Sequence, residues 1–141
     1  MRSVLRLVGI WLIGIFFMVA GVFHFVRPAT YLAMMPPWLP QPRLLVEISG
    51  LAEIAGGLGV FLVRFRRMAA WGLIALLVAV FPANVQVALH GWPGTDFPRW
   101  VLWIRLPFQA LLVWLVYGLC LASGRRRASG PSDRDLWADV R

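Results

Sequence analysis

The chain has 141 residues, 60% of them hydrophobic, and a formal charge of +8 that comes from arginine alone, since there is no lysine. A soluble domain of this length carries more charge and clearer amphipathic alternation, and four long apolar runs leave no room for a separate soluble catalytic domain. Nucleic-acid binding is excluded on similar grounds: it needs a basic face with exposed stacking aromatics, whereas seven of the eight tryptophans lie in or beside apolar runs, as interfacial anchors do.

The first run, about Val4–Val26, follows Arg2 and Arg6 and so resembles a signal peptide at its start. It is longer than a usual signal core, contains His24 and lacks a small-x-small cleavage site, which predicts a retained helix. The connection that follows, Pro28 to Pro42, is proline-rich and too apolar for a solvated loop. It predicts Tyr31, Met34, Met35 and Trp38 at headgroup level, either as a simple anchor or as a stiff lid, with Pro42 in the first turn of the next helix.

The second run, about Leu44–Val63, carries Ser49-Gly50-Leu51-Ala52-Glu53-Ile54-Ala55-Gly56-Gly57. Gly50, Glu53 and Gly57 fall on one helical face, and small residues let a neighbouring helix approach closely. Glu53 then points into a helix interface roughly 15 Å from the helix end, where a carboxylate is either protonated or paired. Gly56 to Gly59 is read as packing and not as a phosphate loop, because no lysine follows. The link Val63-Arg64-Phe65-Arg66-Arg67 is tight and predicts antiparallel neighbours.

The third run, about Met68–Leu89, contains Pro82, which leaves the Val78 carbonyl without its helical donor and predicts a kink beside Asn84. Gln86 and His90 share a face by i,i+4 spacing, and Asn84 faces elsewhere. Gly91, Pro93 and Gly94 mark a turn, after which Thr95 or Asp96 is expected to cap the last helix and Pro98 to lie in its first turn. That fourth run, about Trp100–Ala122, holds Arg105 and Gln109 four residues apart. A start at Pro107 would leave too short a span, so Arg105 is placed about two turns inside. Arginine keeps its charge in a protein, which predicts a charge-assisted partner in Glu53 or Glu47. Cys120 is the single cysteine, so a disulfide within the chain and a C-x-x-C redox pair are both ruled out.

Each run is near the ~20 residues that cross ~30 Å of hydrocarbon, where backbone polar groups must be satisfied internally. The expected fold is therefore all-α, a four-helix transmembrane bundle over residues 1–122, with a flexible arginine-rich cytoplasmic tail over 123–141. Arg2, Arg6, Arg64, Arg66, Arg67 and Arg125 to Arg127 fall on one side, against Arg27, Arg43 and Arg99 on the other. The positive-inside rule then places both termini in the cytoplasm of a cell inner (plasma) membrane. His24, Glu47, Glu53, Asn84, Gln86, His90, Arg105 and Gln109 all lie toward the opposite, outward end of their segments. Since ionisable groups in hydrocarbon cost roughly 2.5–3.5 kcal/mol each on insertion scales, a one-sided cluster predicts an outward-facing polar pocket. Its candidate lining is His24, Glu47, Glu53, Asn84, His90, Arg105 and Gln109. Asn84 and Gln109 also suit polar bonding between helices. No metal site is read here: two histidines without H-x-x-H or H-x-x-x-H spacing fall short of one.

These segments resemble the DoxX family of small membrane proteins. The resemblance rests on Gly21-Val22-Phe23-His24-Phe25, Met35-Pro36-Pro37-Trp38-Leu39-Pro40, Ser49-Gly50 through Glu53 to Gly56-Gly57, Phe81-Pro82-Ala83-Asn84-Val85 through His90, and Arg105-Leu106-Pro107-Phe108-Gln109. It covers about residues 1–122. The resemblance implies a four-helix membrane bundle and, for some relatives, thiosulfate-dependent quinone reduction or oxidant-defence complexes.

Three function classes follow. The first is an accessory, quinone-interacting subunit of a membrane oxidoreductase: His24, His90, Arg105 and Gln109 supply donors to a quinone head, and a separate redox partner protein is required. The second is a non-catalytic scaffold or assembly protein. The third is a small proton-coupled transporter acting through Glu53. A disulfide-generating bundle is ruled out by the lack of paired thiols. The bilayer is the expected partner in every case, and oligomerisation is left open.

Overall fold

The computed structural model describes residues 2–122, so the expected tail at 123–141 lies outside the described residues. Every regular element among them is helical: α1 (Arg2–Val26), α2 (Pro28–Leu32), α3 (Pro42–Phe61), α4 (Arg66–His90), α5 (Arg99–Trp103), α6 (Arg105–Val116) and a terminal π-turn (Tyr117–Leu121). Four stretches are long and apolar enough to cross a membrane: Val4–Val26, Pro42–Phe61, Arg66–His90 and Arg99–Leu121. Leu12, Leu51, Val78 and Trp114 point outward and are exposed. An apolar shell of this kind suits lipid and not water, and the chain is a membrane protein.

The helix ends follow local chemistry. Pro42 opens α3 after Gln41, the one non-glycine residue at positive φ (50°) among those described. Gly91 ends α4 at φ 88°, its N–H donating to the Val87 carbonyl, the usual work of a glycine just past a helix. Arg66 Nε donates to the Val60 carbonyl near the end of α3, and Arg6 Nε to the Leu119 carbonyl in the π-turn. Cations thereby cover carbonyls that a helix C-terminus leaves without donors.

The fourth span runs from Arg99 to Leu121 as expected and loosens only locally at Ile104, which keeps helical dihedrals (φ −63°, ψ −19°), where Pro107 gives the Trp103 carbonyl no donor. Pro98 is the cap of α5 and not part of its first turn, and the Thr95 hydroxyl donates to the Trp92 carbonyl, closing a turn in place of capping the helix. Helix α4, in contrast, runs on through Pro82.

Close packing of α1 against α3 sets the bundle. Gly14 meets Gly57 and Gly21 meets Gly50, seven residues apart on each helix and antiparallel. A Cβ on Gly57 would lie 2.7 Å from the Gly14 carbonyl oxygen, and one on Gly21 would lie 2.6 Å from that of Gly50. On the other side of α3, Gly56 receives Leu73 and Gly59 receives Ala69 of α4. Ile10, Ile13, Phe17, Val60, Ala70, Leu73, Leu77, Val116 and Cys120 fill the half of the bundle nearer the Arg6 and Arg66 end. Near the other end a smaller cluster joins Met34, Val87 and Leu102, with Trp92 against it. Gly57→Leu should therefore lower stability by about 1–3 kcal/mol through overpacking. Gly72→Ala, whose added Cβ meets nothing within 4 Å, should leave it nearly unchanged, both measured by reversible unfolding in mixed detergent.

Candidate functional site

Between those two apolar clusters lies a cavity of about 240 Å³ to which all four spans and the α1–α3 connection contribute. Helix α1 supplies Phe16, Phe17, Ala20 and His24, α3 supplies Val46, Ser49 and Glu53, and α4 supplies Leu77, Val80, Ala83 and Asn84. Helix α6 adds Arg105, Phe108, Gln109 and Leu112, and Tyr31, Met34 and Met35 come from α2 and the turn behind it. A hollow of roughly 150 Å³ already accepts a benzene ring, while drug-sized ligands occupy about 300–1,000 Å³. The space suits one substituted ring and is too small for a whole haem or flavin.

His24 is buried, 7% exposed. The glycine contacts bring its ring onto α3, where Nδ1 lies 2.9 Å from the Val46 carbonyl oxygen and 3.1 Å from Ser49 Oγ. The Ser49 hydroxyl itself donates to Val46 at 2.9 Å. A carbonyl only accepts, so Nδ1 carries a hydrogen and Nε2 is the atom turned toward Glu53. Nε2 and Glu53 Oε2 are 3.6 Å apart, within ion-pair range if the ring is protonated but too long for a hydrogen bond. Glu53 Oε2 is buried without a hydrogen-bond partner among the described residues. Leaving such an acceptor unpaired costs about 1–3 kcal/mol, so the oxygen is an unspent acceptor in the wall of a polar cavity.

Among the described residues, Arg105 pairs with no carboxylate. Its guanidinium carbon sits 4.6 Å from the centre of the Trp92 ring, and Nη2 donates to Met34 Sδ at 3.9 Å. Glu53 has His24 Nε2 as its neighbour at 3.6 Å, and Glu47 lies outside the cavity, half exposed and bonded to Arg43 one turn earlier at 3.2 Å. The expected pairing of Arg105 with Glu53 or Glu47 is corrected on these grounds: stacking on an indole face supplies the electrostatic partner instead.

Asn84 Nδ2 donates to Gln109 Oε1 at 2.9 Å, and the Gln109 amide donates onward to the Leu77 carbonyl. That acceptor is one residue from Val78, the carbonyl deprived by Pro82. His90 is exposed at the end of α4, where Nδ1 reaches the Gln86 carbonyl at 3.2 Å. Neither His90 nor Gln86 lines the cavity. The structure thus brings together His24, Glu53, Asn84, Arg105 and Gln109 and leaves out Glu47 and His90.

The proline-rich connection folds into a short helix and packs inward. Tyr31 stacks on His24 with ring centres 3.7 Å apart, and its hydroxyl makes a long 3.5 Å bond to the Ala20 carbonyl. Burial, reinforced by the nearby Glu53 charge, holds the Tyr31 phenol above its ordinary pKa and hence neutral. Met34 is buried at 6%, and of the four residues expected at headgroup level only Trp38 is largely exposed. Trp92 Nε1 donates to the Thr30 carbonyl at 3.3 Å, tying the two loops of this end together. Ser49 escaped the sequence reading although it stands one turn from Glu53 on the same face. Trp92 gave no comparable signal.

The class defined by this fold and site is a four-span membrane bundle with a partly open, mostly apolar cavity carrying a few polar groups. Residues 13–120 match the family described as a domain of unknown function, DUF8561, and the chain belongs to that family. The matched segment contains every residue that lines the cavity. None of the curated proteins and none of the solved structures compared with the chain matches it.

If the Arg105–Trp92 stack holds the lid, Arg105→Lys and Trp92→Ala should each destabilise the bundle without adding. A double-mutant cycle on detergent unfolding should return a coupling of about 0.5–2 kcal/mol.

Proposed function

We propose that the cavity binds the ring of a small lipid-soluble ligand of the quinone type, and that the protein is an accessory subunit of a membrane oxidoreductase system. The observation that carries this reading is the unpartnered Glu53 Oε2 in a ring-sized, largely apolar space that also holds the Arg105 guanidinium. A ring bearing oxygens at opposite positions meets complementary groups there. A hydroxyl, as in the reduced form, donates to Glu53, while a carbonyl oxygen accepts from Arg105 or Asn84. His24 stands 3.6 Å from the Glu53 carboxyl and can hold a proton beside it. Redox chemistry at the ring would draw on a separate partner protein, since the chain has a single cysteine.

The resemblance to the DoxX family supports the same reading. On the arginine bias the cavity opens toward the outer face of the plasma membrane, with both termini in the cytoplasm. A scaffold role is the second reading, favoured by the cross-helix bonds of Asn84 with Gln109 and of His24 with Val46, which also fix helix packing.

Mild purification followed by mass spectrometry of bound small molecules separates the two. The ligand reading expects a quinone at near-stoichiometric amount, and Glu53→Gln should reduce it about tenfold while the helical content stays intact. A well-folded, ligand-free wild-type protein that takes up no added quinone would remove that reading. The scaffold reading expects Glu53→Gln to impair folding and yield instead.

A further inference from the structure

A second hollow, of about 210 Å³, lies between α4 and α6. Its walls are Leu77, Val78, Phe81, Leu106, Ala110 and Val113, and Gln109 is the one polar side chain among its lining residues. Val78, Phe81 and Ala110 are exposed, so the groove opens sideways onto the apolar outer surface of the bundle. Leu77 and Gln109 wall both this groove and the polar cavity, and the partition between the two is largely these two side chains. Pro82 and Pro107 flank the groove, one residue beyond Phe81 and Leu106, and each leaves its helix short of a backbone bond at that level.

We propose that this groove is a lateral portal for the apolar chain of a ring-headed lipid whose head occupies the polar cavity, with Gln109 as the gate between them. The proposal rests on the ring-binding reading of that cavity and extends it. The cavity has room for a ring and little else, so a tail must leave it. Tyr31 and Met34 line the cavity on the side of the α1–α3 connection, the exposed aromatics Phe16 and Phe108 line its open side, and the groove is the adjoining space whose lining is apolar apart from Gln109. Only side-chain bonds, from Asn84 to Gln109 and from Gln109 to the Leu77 carbonyl, hold the gate shut. A rotamer change at Gln109 therefore joins the two spaces without breaking a helix. The groove carries no cation for a phosphate, which selects a single hydrocarbon or isoprenoid chain over a phospholipid.

The full chain in lipid nanodiscs is incubated with tail-less dimethoxy-methyl-benzoquinone or with its decyl-tailed form, and ligand retained after rapid desalting is quantified by mass spectrometry. Wild type should retain the tailed form at least tenfold better. Ala110→Trp adds bulk at an exposed groove position. It should bring retention of the tailed form down to that of the tail-less one and leave tail-less binding unchanged. Val78→Trp on the opposite wall should do the same, so one poorly folding variant does not decide the outcome. Unaltered retention of the tailed form in both tryptophan variants would overturn the portal while leaving the ring site in place. Failure of wild type to retain either compound would instead remove the ring site and the portal with it.

Discussion

The approach of α1 to α3 over four glycines is the constraint on which the rest of the site depends. Gly14 faces Gly57 and Gly21 faces Gly50, so the two backbones come closer than any side chain would allow. At that separation the His24 ring reaches a backbone carbonyl on the facing helix and stands within 3.6 Å of Glu53. The same glycines leave α3 free to pack its other face, through Gly56 and Gly59, against α4. A single helix thus contacts two neighbours closely and carries the carboxylate between them.

The polar groups that line the cavity are tolerated because nearly all are bonded across helices and not shed to lipid. Asn84 to Gln109 to the Leu77 carbonyl forms one chain, and His24 with Ser49 and Val46 forms another. Arg105 has an indole face and a thioether sulfur. Glu53 Oε2 is the exception, and it falls where the helices part. An apolar core of nine buried residues lies on one side of that gap and a small cluster around Met34 on the other. Packing bounds the polar chamber at both ends, and its open side is lined by the exposed Phe16 and Phe108.

The lid and the α4–α5 loop act as one piece. Trp92 accepts the Arg105 cation on its face and gives its indole N–H to Thr30, so a charge from α6, a ring from the loop and the backbone of the lid are joined in one contact. Tyr31, on the same short helix, covers His24. Access from the lid side requires these contacts to loosen together. Toward the α4–α6 groove the cavity is bounded by Leu77 and Gln109, the latter held by its amide hydrogen bonds.

Four spans, their order and their approximate limits were legible in the sequence, because hydrophobic length and the need to satisfy backbone groups in lipid leave one solution for each run. The glycine face on α3 and the gathering of polar residues at one end were legible for the same local reason: helical periodicity places them. Helical spacing says which residues share a face, not which face meets which. That is why Arg105 was expected on a carboxylate and is found on Trp92, and why Glu47, one and a half turns from Glu53, is left outside with Arg43. Proline content suggested a stiff interfacial segment. Only the folded chain decided that Tyr31 and Met34 turn inward, since burial against His24, Val87 and Leu102 outweighs the pull of the interface on residues that can lie in either place. What the sequence determined is what each helix must bury. Which polar group finds which partner depends on backbone separations of an ångström or two, and those exist only once four helices pack together.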